Sequence, residues 1–458
     1  MNTEIMSESK KMKILQVVHG FPPEQKTGVE ILTYNLCGEL SRTCEVHVFY
    51  PKYKEAPGGK CYINSFNKDG IIIHELITEL NSSNKLKRLF DFEPPLIACE
   101  NQKAVLMFEE LLARVNPDIV HFQHMIGFSV LFPIIAKRNF PVVLSLNDYW
   151  LLCPTTHFLR FDGKICFNAS PDECFKCVFD NTWIKGSSGK NNAANFLLEF
   201  IKKLLQSRGK NKIIKRLNYS KKAVKSVDKV IVSSQCVKKT FIDRGFISDE
   251  DFTVKRAVSM PYGIDISSLS NVKKNDYDKI RFGYVGGMAK RKGVGVLIDG
   301  FKKLDNAGAQ LWIYGKIDMN DPEQKRLFEE NSGNINIKFM GDFSDIKEPY
   351  SNIDVLVVPS ITYEGFGLVI FEAFAAGIPV ISSDISALNE FVQNMINGLL
   401  FKPGSSDDLA EKMRVLVENK DILPCLKKNF PVPKSISLWA EEIVEIYEDL
   451  LNKKRGKS

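Results

Sequence analysis

Short apolar runs of strand length recur in two series along this chain, with helical or irregular segments between them. The first series occupies 13–19, 45–50, 71–76, 118–123, 141–147 and 229–234, and the second occupies 280–286, 310–315, 335–340, 354–360 and 379–383. Strands that alternate with helices form a parallel sheet covered on both faces. The pattern therefore predicts an α/β protein with two Rossmann-like, doubly wound parallel-sheet domains.

The break in this periodicity at 260–279 predicts the domain boundary, because Pro261, Gly263 and a polar run interrupt the apolar pattern there. A chain of 458 residues is also too long for one ordinary core. We place an N-terminal domain at 1–262, a C-terminal domain at 263–434, and a helix at 435–458 that packs back toward the N-terminal domain. Ligands of doubly wound folds bind beyond the carboxyl ends of the strands, so the site is expected in a cleft between the facing domains.

The segment from Glu364 to Glu372 reads Glu-Gly-Phe-Gly-Leu-Val-Ile-Phe-Glu and joins a strand to an apolar helix. Its two glycines, Gly365 and Gly367, leave the backbone open to a ligand, and the first N–H groups of a helix favour an anion. Glu372 lies about two turns into the helix, where a lone carboxylate is costly unless a partner holds it. The partner is either a ligand or a neighbouring cation of the protein.

A second glycine-rich turn, from Gly283 to Gly293, also follows a strand and carries Lys290, Arg291 and Lys292. These cations are placed to neutralise a phosphate group. Two such turns together with a carboxylate pair indicate a diphosphate that carries a sugar. A nicotinamide cofactor is disfavoured, because no Gly-x-Gly-x-x-Gly follows the first strand, and no Walker P-loop is present.

Candidate residues of the first domain lie in its early turns. The turn from His19 to Glu30 contains Gly20 and Gly28, and it either shapes an anion-accepting loop or simply connects a strand to a helix. The strand at 118–123 ends in His121-Phe-Gln-His124. His124 lies past the strand and is the better functional candidate of the two histidines.

Four cysteines fall in one irregular segment that precedes the basic stretch: Cys153, Cys166, Cys174 and Cys177. Since no export signal is present, these thiols are more often reduced or metal-bound than linked as disulfides. The hypotheses are a structural Cys₄ zinc site and four unrelated thiols. Four thiolate ligands leave no open position on zinc, so a catalytic metal is not predicted.

The segment 185–225 carries twelve Lys or Arg residues against the single acid Glu199. Its apolar residues fall on one helix face, which suits either an anionic membrane surface or packing on the segment's own domain with a solvated basic face. Nucleic acid is not expected, because no recognised binding motif accompanies the charge. With no apolar run of membrane-spanning length, we expect a cytoplasmic protein, peripheral at the inner face of the membrane.

These motifs resemble the retaining nucleotide-sugar glycosyltransferases of family four, which have the GT-B fold. The Glu-x₇-Glu element and the Lys292-Gly293 turn are specific to that family, and the weaker pieces occur in the family's order. The weaker pieces are the Gly28 loop, the His121–His124 strand end, Val232-Ser-Ser234, Pro261-Tyr-Gly-Ile-Asp265, Ala376-Gly-Ile-Pro-Val380 and Asn397-Gly-Leu-Leu-Phe401. The cysteine-bearing insertion at about 153–225 resembles a subset of the family.

The resemblance implies roles for individual residues. Glu364 contacts the donor sugar, Glu372 binds the ribose hydroxyls, and Lys292 neutralises the leaving diphosphate. His124 is the implied catalytic histidine of the first domain. The remaining implied donor-binding residues are Gly28, Gly287, Arg291, Gly365, Phe366, Gly367 and Leu368. No metal is expected in the reaction, because lysine and helix amides neutralise the growing charge.

The leading hypothesis is a metal-independent hexosyltransferase of polysaccharide biosynthesis. It would move a sugar, with retention of configuration, from a UDP or GDP donor to a glycan or lipid-linked saccharide. The alternative is a non-catalytic GT-B protein that binds a nucleotide sugar or a partner transferase. Two departures motivate the alternative: glycines at 286 and 287 where the family often has an arginine, and Asn147 where it usually has a histidine.

Overall fold

The computed structural model describes residues 11–55, 60–80, 101–160, 163–166, 170–183, 192–270, 272, 278–304, 308–419 and 421–456. Within these ranges the side chains of 55, 79, 80, 179–183 and 192–208 are not described. Residues 185–191 of the predicted basic segment lie outside the described residues.

The first half of the chain forms an eight-stranded sheet of order β3-β4-β2-β1-β5-β6-β7-β8. Its strands are β1 Lys13–Val17, β2 Glu45–Glu55, β3 Cys61–Lys68, β4 Ile71–Leu80, β5 Ile119–Phe122, β6 Val142–Leu146, β7 Lys229–Val232 and β8 Ala257–Ser259. All neighbours pair in parallel except β3 and β4, which are antiparallel. The accompanying helices are α1 Gly28–Leu40, α2 Gln102–Val115, α3 Phe132–Ala136, α4 Pro171–Trp183, α5 Asn192–Ser226, α6 Gln235–Asp243 and α7 Asp249–Thr253.

The second half forms a six-stranded parallel sheet of order β11-β10-β9-β12-β13-β14. Its strands are β9 Ile280–Val285, β10 Ala309–Tyr314, β11 Ile337–Gly341, β12 Val355–Val358, β13 Val380–Ser383 and β14 Gly398–Phe401. Its helices are α8 Ile266–Leu269, α9 Val294–Lys302, α10 Pro322–Asn331, α11 Lys347–Asn352, α12 Leu368–Ala375, α13 Leu388–Phe391, α14 Ser406–Glu418 and α15 Ile422–Lys427. Helix α16, Ile436–Arg455, ends the chain.

The predicted fold of two Rossmann-like domains is confirmed, and each of the predicted apolar runs overlaps a strand. Buried apolar side chains fill both faces of each sheet, as parallel sheets require. The sequence patterns missed β3, β8 and β14. Strand β3 is an antiparallel edge strand with mostly exposed side chains, so it lacks a buried apolar run.

The chain passes between the two sheets twice, and the two connections pair with each other. Ile264 of the first connection donates its N–H to the Lys434 carbonyl at 2.9 Å, and the Ile436 N–H donates to the Ile264 carbonyl at 2.9 Å. Gly263 permits this approach, because a Cβ there would lie 2.4 Å from the Ser435 carbonyl oxygen. The paired connections therefore lie directly beside each other.

After the second crossing, helix α16 packs against α1 on the first sheet. Trp439, Ile443 and Tyr447 are buried in the same apolar cluster as β1 and β2. The Tyr447 hydroxyl accepts from Gln16 Nε2 at 2.9 Å and lies 2.6 Å from His121 Nδ1. The last helix thus belongs physically to the core of the first domain.

Helix α5 contains the described part of the basic segment. In its second half, Ile213 packs with Phe175 and Val178 of α4, and Ala223 and Val224 are buried in the first domain. This half of the helix therefore packs on its own domain, as one of the two hypotheses for the segment predicted. Among the described residues, no helix combines the length and the apolar character needed to cross a bilayer.

Candidate active site

The two places where strand order reverses face each other across the cleft. In the first sheet the reversal lies between β1 and β5, and in the second between β9 and β12. Loops at such reversals diverge and leave a crevice where ligands of open α/β sheets bind. His19 follows β1 and His124 follows β5, whereas Lys292 follows β9 and Glu364 follows β12.

Glu364 and Lys292, both predicted site residues, form an ion pair in this crevice. The Lys292 Nζ donates to Glu364 Oε1 at 2.8 Å, and the Ser360 hydroxyl donates to the same oxygen at 3.0 Å. Burial raises the pKa of Glu364, but the Lys292 ammonium and Arg291 guanidinium outweigh it and hold that pKa below the ordinary value. The carboxylate is therefore ionised and largely buried, and hydrogen bonds from Lys292 and Ser360 orient it.

Backbone contacts fix the lysine beside this carboxylate. Residues Lys290–Lys292 form one 3-10 turn that ends at Gly293 with φ 75°. A Cβ on Gly293 would lie 1.9 Å from the Pro359 carbonyl oxygen, so only glycine lets the two loops touch. The Ile361 N–H donates to the Arg291 carbonyl at 2.9 Å across the same contact. Lys290, in contrast, is 70% exposed and pairs with Glu323 at 3.6 Å.

Glu372 lies on α12, and its carboxylate accepts a hydrogen bond from the Tyr350 hydroxyl at 2.6 Å. No salt bridge to Glu372 occurs within the described part of the chain, so the neighbouring cation considered from sequence is not its partner there. Burial raises the pKa of Glu372 above its ordinary value. Further hydrogen bonds, such as those from ribose hydroxyls, would therefore stabilise an ionised Glu372.

The loop from Glu364 to Gly367 is held by the other domain. The hydroxyls of Ser233 and Ser234 donate to the Gly365 carbonyl at 3.2 and 2.9 Å. A Cβ on Gly365 would lie 2.2 Å from the Asn147 carbonyl oxygen, which explains glycine at this position. The Phe366 ring lies 4.6 Å from that of Tyr262, measured between centroids. The cleft is thus closed around this loop.

The remaining predicted donor-binding residues lie around the same crevice. Gly28 begins α1 opposite Leu368, since a Cβ on Gly28 would lie 3.5 Å from Leu368 Cδ1. Gly367 is the residue before α12, whose first N–H groups have no acceptor within the helix. Gly287 follows β9, and a Cβ there would meet open space. None of these positions shows a ligand role by itself, and their roles stay predictions.

His124 is held at both ring nitrogens. Its Nδ1 accepts from the Ile126 N–H at 3.2 Å, so its Nε2 carries the proton and donates to Asp148 Oδ2 at 2.8 Å. Burial raises the pKa of Asp148, but His124, followed by the Trp150 N–H and His157, lowers it to about 2. His121 is fully buried between Tyr447 and Ser145 and is structural.

His19 is a residue that the sequence pattern did not single out. Its Nε2 donates to Glu30 Oε1 at 3.0 Å, and its ring lies 4.3 Å from that of His124. Its buried Nδ1 has no hydrogen-bond partner among the described residues. Burial and the neighbouring His124 lower the pKa of His19, so the neutral ring presents a lone pair at Nδ1. The sequence feature that could have indicated His19 is its position directly after strand β1.

The four predicted zinc ligands lie near one another. Burial and, after it, the neighbouring thiols of Cys153, Cys166 and Cys177 raise the pKa of Cys174 to about 12. Within the described residues, however, no three His, Cys, Asp or Glu side chains converge on a point that could hold a metal ion. The thiol arrangement gives no support for a Cys₄ centre, and zinc binding stays a prediction.

Comparison with known proteins gives matches in both domains. Residues 26–265 match the family model described as Glycosyltransferase Family 4, which covers more than half of the chain, and residues 279–419 match Glycosyl transferases group 1. An uncharacterized glycosyltransferase of Methanocaldococcus jannaschii is 28% identical over 241 residues, 52% of this chain and 64% of that protein. CapM, a capsular polysaccharide biosynthesis glycosyltransferase of Staphylococcus aureus, is 27% identical over 39% of this chain and 49% of its own length.

The matches thus span between about half and two thirds of these relatives' own length. Among solved structures, HepE of Anabaena in complex with UDP and glucose superposes with a TM-score of 0.61 at 16% identity. The superposition covers 95% of this chain and 99% of that one. At 16% identity, this similarity shows only that the two proteins share a fold.

Proposed function

Because this chain belongs to glycosyltransferase family 4 and has the GT-B fold, we propose that it transfers a sugar from a nucleotide-diphosphate donor to a saccharide acceptor. The observation that carries the proposal is the Lys292–Glu364 pair beside the start of α12, where the strand order of the second sheet reverses. A cation and helix N–H groups bind a diphosphate, and an oriented carboxylate binds sugar hydroxyls.

In the proposed reaction the bond between the anomeric carbon and the β-phosphate oxygen breaks as the acceptor hydroxyl bonds to that carbon. The hydroxyl proton passes to the departing phosphate oxygen on the same face, so the configuration is retained. Lys292, Arg291 and the amides of Phe366, Gly367 and Leu368 stabilise the charge that grows on the leaving diphosphate. Because these groups supply positive potential, we propose that the transfer needs no metal.

The other site residues position the two substrates. Glu372 accepts ribose hydroxyls, and Glu364 accepts hydroxyls of the transferred sugar. On the facing domain, His124 has both ring nitrogens engaged, whereas Nδ1 of His19 can accept a hydrogen bond. We therefore assign the contact with the acceptor hydroxyl to His19 and a positioning role to His124.

The proposed donor is a UDP or GDP sugar, and the proposed acceptor is a growing glycan or a lipid-linked saccharide. HepE, whose fold this chain shares, was solved with UDP and glucose, and CapM is named for capsular polysaccharide biosynthesis. The HepE complex supports a nucleotide-sugar donor, and the CapM name supports a role in polysaccharide biosynthesis. We propose that the protein acts at the inner face of the membrane.

The test is release of free nucleoside diphosphate from a panel of UDP and GDP sugars. We expect Glu364→Gln to lower the rate by roughly 10²–10³-fold, as loss of one transition-state contact does. Glu329→Gln, on exposed α10, is the matched control and should retain the wild-type rate. Equal rates for wild type and Glu364→Gln would remove the proposed role of the carboxylate.

The same panel separates the enzyme from the non-catalytic alternative, which predicts donor binding without turnover on any acceptor. Two findings weaken that alternative. Arg291 acts on Glu364 and supplies a cation despite the glycines at 286 and 287. Asn147 is used structurally, since its side chain donates to the Gln123 carbonyl at 2.7 Å and accepts from the Tyr262 hydroxyl.

A further inference from the structure

The cysteine-bearing segment after β6 has no role in the reaction proposed above. Its middle part folds as a small hairpin in which Leu159 and Ile165 form an antiparallel bridge. The Cys166 N–H donates to the Phe158 carbonyl at 2.6 Å, and the Arg160 N–H donates to the Lys164 carbonyl at 2.9 Å. His157 immediately precedes this hairpin.

The backbone on both sides of His157 is strained. Thr156 has φ 70° and Phe158 has φ 50°, and both residues are buried. Side chains with a Cβ disfavour positive φ, and such conformations persist only where surrounding contacts impose them. Two of them in three residues indicate that this segment is forced into one shape around His157.

Ring contacts across the cleft impose that shape. The Phe158 ring centroid lies 4.9 Å from that of Tyr149 in the first domain and 5.6 Å from that of Tyr363 in the second. Tyr363 directly precedes Glu364, and Ile165 of the hairpin packs on the apolar cluster of the second domain. The segment therefore bridges both domains at the loop that carries Glu364.

As a result, the imidazole of His157 lies within the electrostatic influence of the charged groups of the site. Two cations act on it, Arg291 and Lys292, which lie on the 3-10 turn Lys290–Lys292. Two anions also act on it: Glu364 on the loop before α12 and Asp148 after β6. Burial, followed by Arg291, lowers the pKa of His157 to about 4. With no ligand bound, the ring is a neutral donor and acceptor beside two cations.

We propose that His157 is a donor-binding residue that contacts the diphosphate of the nucleotide sugar, and that the cysteine-bearing segment serves to present it. The inference rests on the proposed function, because Arg291 and Lys292 are there assigned to the same diphosphate. An incoming diphosphate brings negative charge close to the ring and favours its protonated form. Donor binding is then coupled to proton uptake by His157, which adds a third cation to the leaving group.

The experiment is calorimetry of UDP and GDP binding near neutral pH in buffers of different ionisation enthalpy. The full-length chain, its His157→Gln variant and a matched control, His74→Gln, are compared. His74 is a buried histidine on β4, outside the site. Proton uptake on binding is expected for wild type and the control and is expected to be absent in His157→Gln. Dissociation constants of the variant should rise roughly ten- to hundredfold, as for loss of a hydrogen bond to a charged group.

UMP distinguishes the diphosphate from the rest of the nucleotide, and its affinity should not change in His157→Gln. Equal UDP and GDP affinities and equal proton uptake in wild type and His157→Gln would overturn the inference and leave the proposed function intact. If wild type binds neither UDP nor GDP, the proposed function and this inference both fail. The uptake measured on wild type needs no variant to fold, and absence of uptake there would also count against the inference.

Discussion

At the residue scale, the Glu364 carboxylate depends on the ammonium group of a single lysine. Lys290, Arg291 and Lys292 are adjacent in sequence, yet only the Lys292 Nζ lies within hydrogen-bond distance of Glu364 among the described contacts. The short turn that ends at Gly293 directs Lys290 outward to Glu323. Three neighbouring cations therefore have different environments, which allows a matched comparison.

We predict that Lys292→Gln lowers kcat for donor turnover by roughly 10²-fold or more, because a charge-stabilising donor is lost where the diphosphate departs. Lys290→Gln, with the same change of charge two residues away, should leave kcat near the wild-type value. Steady-state kinetics with the donor found in the panel provide the measurement. Similar losses in both variants would show that the effect is general electrostatics and not the contact with the site.

The residues predicted from local motifs and those revealed by the fold differ in kind. Glu364 and Lys292 lie in glycine-containing turns that follow strands, and Glu372 lies in the helix after one of these turns, so the sequence pattern alone indicates them. Tyr350 is brought to the site by its contact with Glu372, and His157 is brought within the electrostatic influence of Arg291 and Lys292, all of which are distant in the chain. No local spacing records such contacts, and this is why the sequence pattern missed them.

At the element scale, helix α16 is tied to the first sheet by a buried hydroxyl. The Tyr447 oxygen is within hydrogen-bond distance of both Gln16 on β1 and His121 on β5, and all three side chains are buried. A buried polar group that loses its partner retains its desolvation penalty. The helical spacing at 435–451 indicated an amphipathic helix, but the polar contact beneath it could not be read from that spacing.

We predict that Tyr447→Phe lowers the free energy of unfolding by about 1–3 kcal/mol, because two buried partners are left without the hydroxyl. Urea denaturation followed by circular dichroism provides the measurement. Tyr62→Phe, at an exposed position on β3, is the control and should be close to neutral. Stability unchanged in Tyr447→Phe would mean that water replaces the hydroxyl.

The outer strands of the first sheet contain a pair of buried histidines that should make the fold sensitive to acid. His47 Nδ1 lies 2.9 Å from His74 Nε2, and the Ser65 hydroxyl lies 2.8 Å from His74 Nδ1. Burial, together with His47 and Arg114, lowers the pKa of His74 to about 4. Burial also lowers the pKa of His47, which Glu45 only partly opposes.

Because the folded pKa of His74 lies below its unfolded value near 6.5, the unfolded chain binds the proton first. The free energy of unfolding is therefore expected to fall as pH decreases from about 6.5 to about 4, and to be insensitive to this group above pH 7. Urea titrations across this range for wild type and His74→Gln provide the measurement. The variant should show a shallower decline, and equal slopes would contradict the assignment.

Strand prediction succeeded for every strand with two neighbours in its sheet and failed at three of the four sheet edges. The strand Val355–Val358 is apolar throughout because β12 lies inside the second sheet. Strands β3, β8 and β14 each lie at the edge of a sheet, where only one neighbour is needed. Their short or mixed patterns resemble those of loops, so tertiary pairing and not local preference determines them.

At the scale of the whole molecule, the positive charge is unevenly distributed. The net charge is +7, and twelve of the cations lie in the segment 185–225. Along the described half of α5, Lys222 and Lys225 are exposed while Ile213 is buried against α4. A basic face of the first domain therefore lies toward solvent.

We predict that the protein binds vesicles containing an anionic phospholipid and that added salt weakens the binding, because counter-ions screen these contacts. The double variant Lys222→Glu and Lys225→Glu should bind less, while Lys325→Glu on α10 should bind like wild type. Co-sedimentation at several salt concentrations provides the measurement. Equal binding to purely zwitterionic vesicles would exclude an electrostatic membrane contact.

The hydrogen bonds that Ile264 makes with Lys434 and Ile436 hold the two connections side by side and restrict how the two halves of the molecule can move. Two connections separated by the width of a sheet would allow only small rotations, whereas two connections in contact define one axis. The halves can therefore swing apart about that line while sliding and shear are suppressed. Opening and closing of the cleft would then be a rotation about this one axis. The residues at the rim of the cleft farthest from the axis would move the greatest distance.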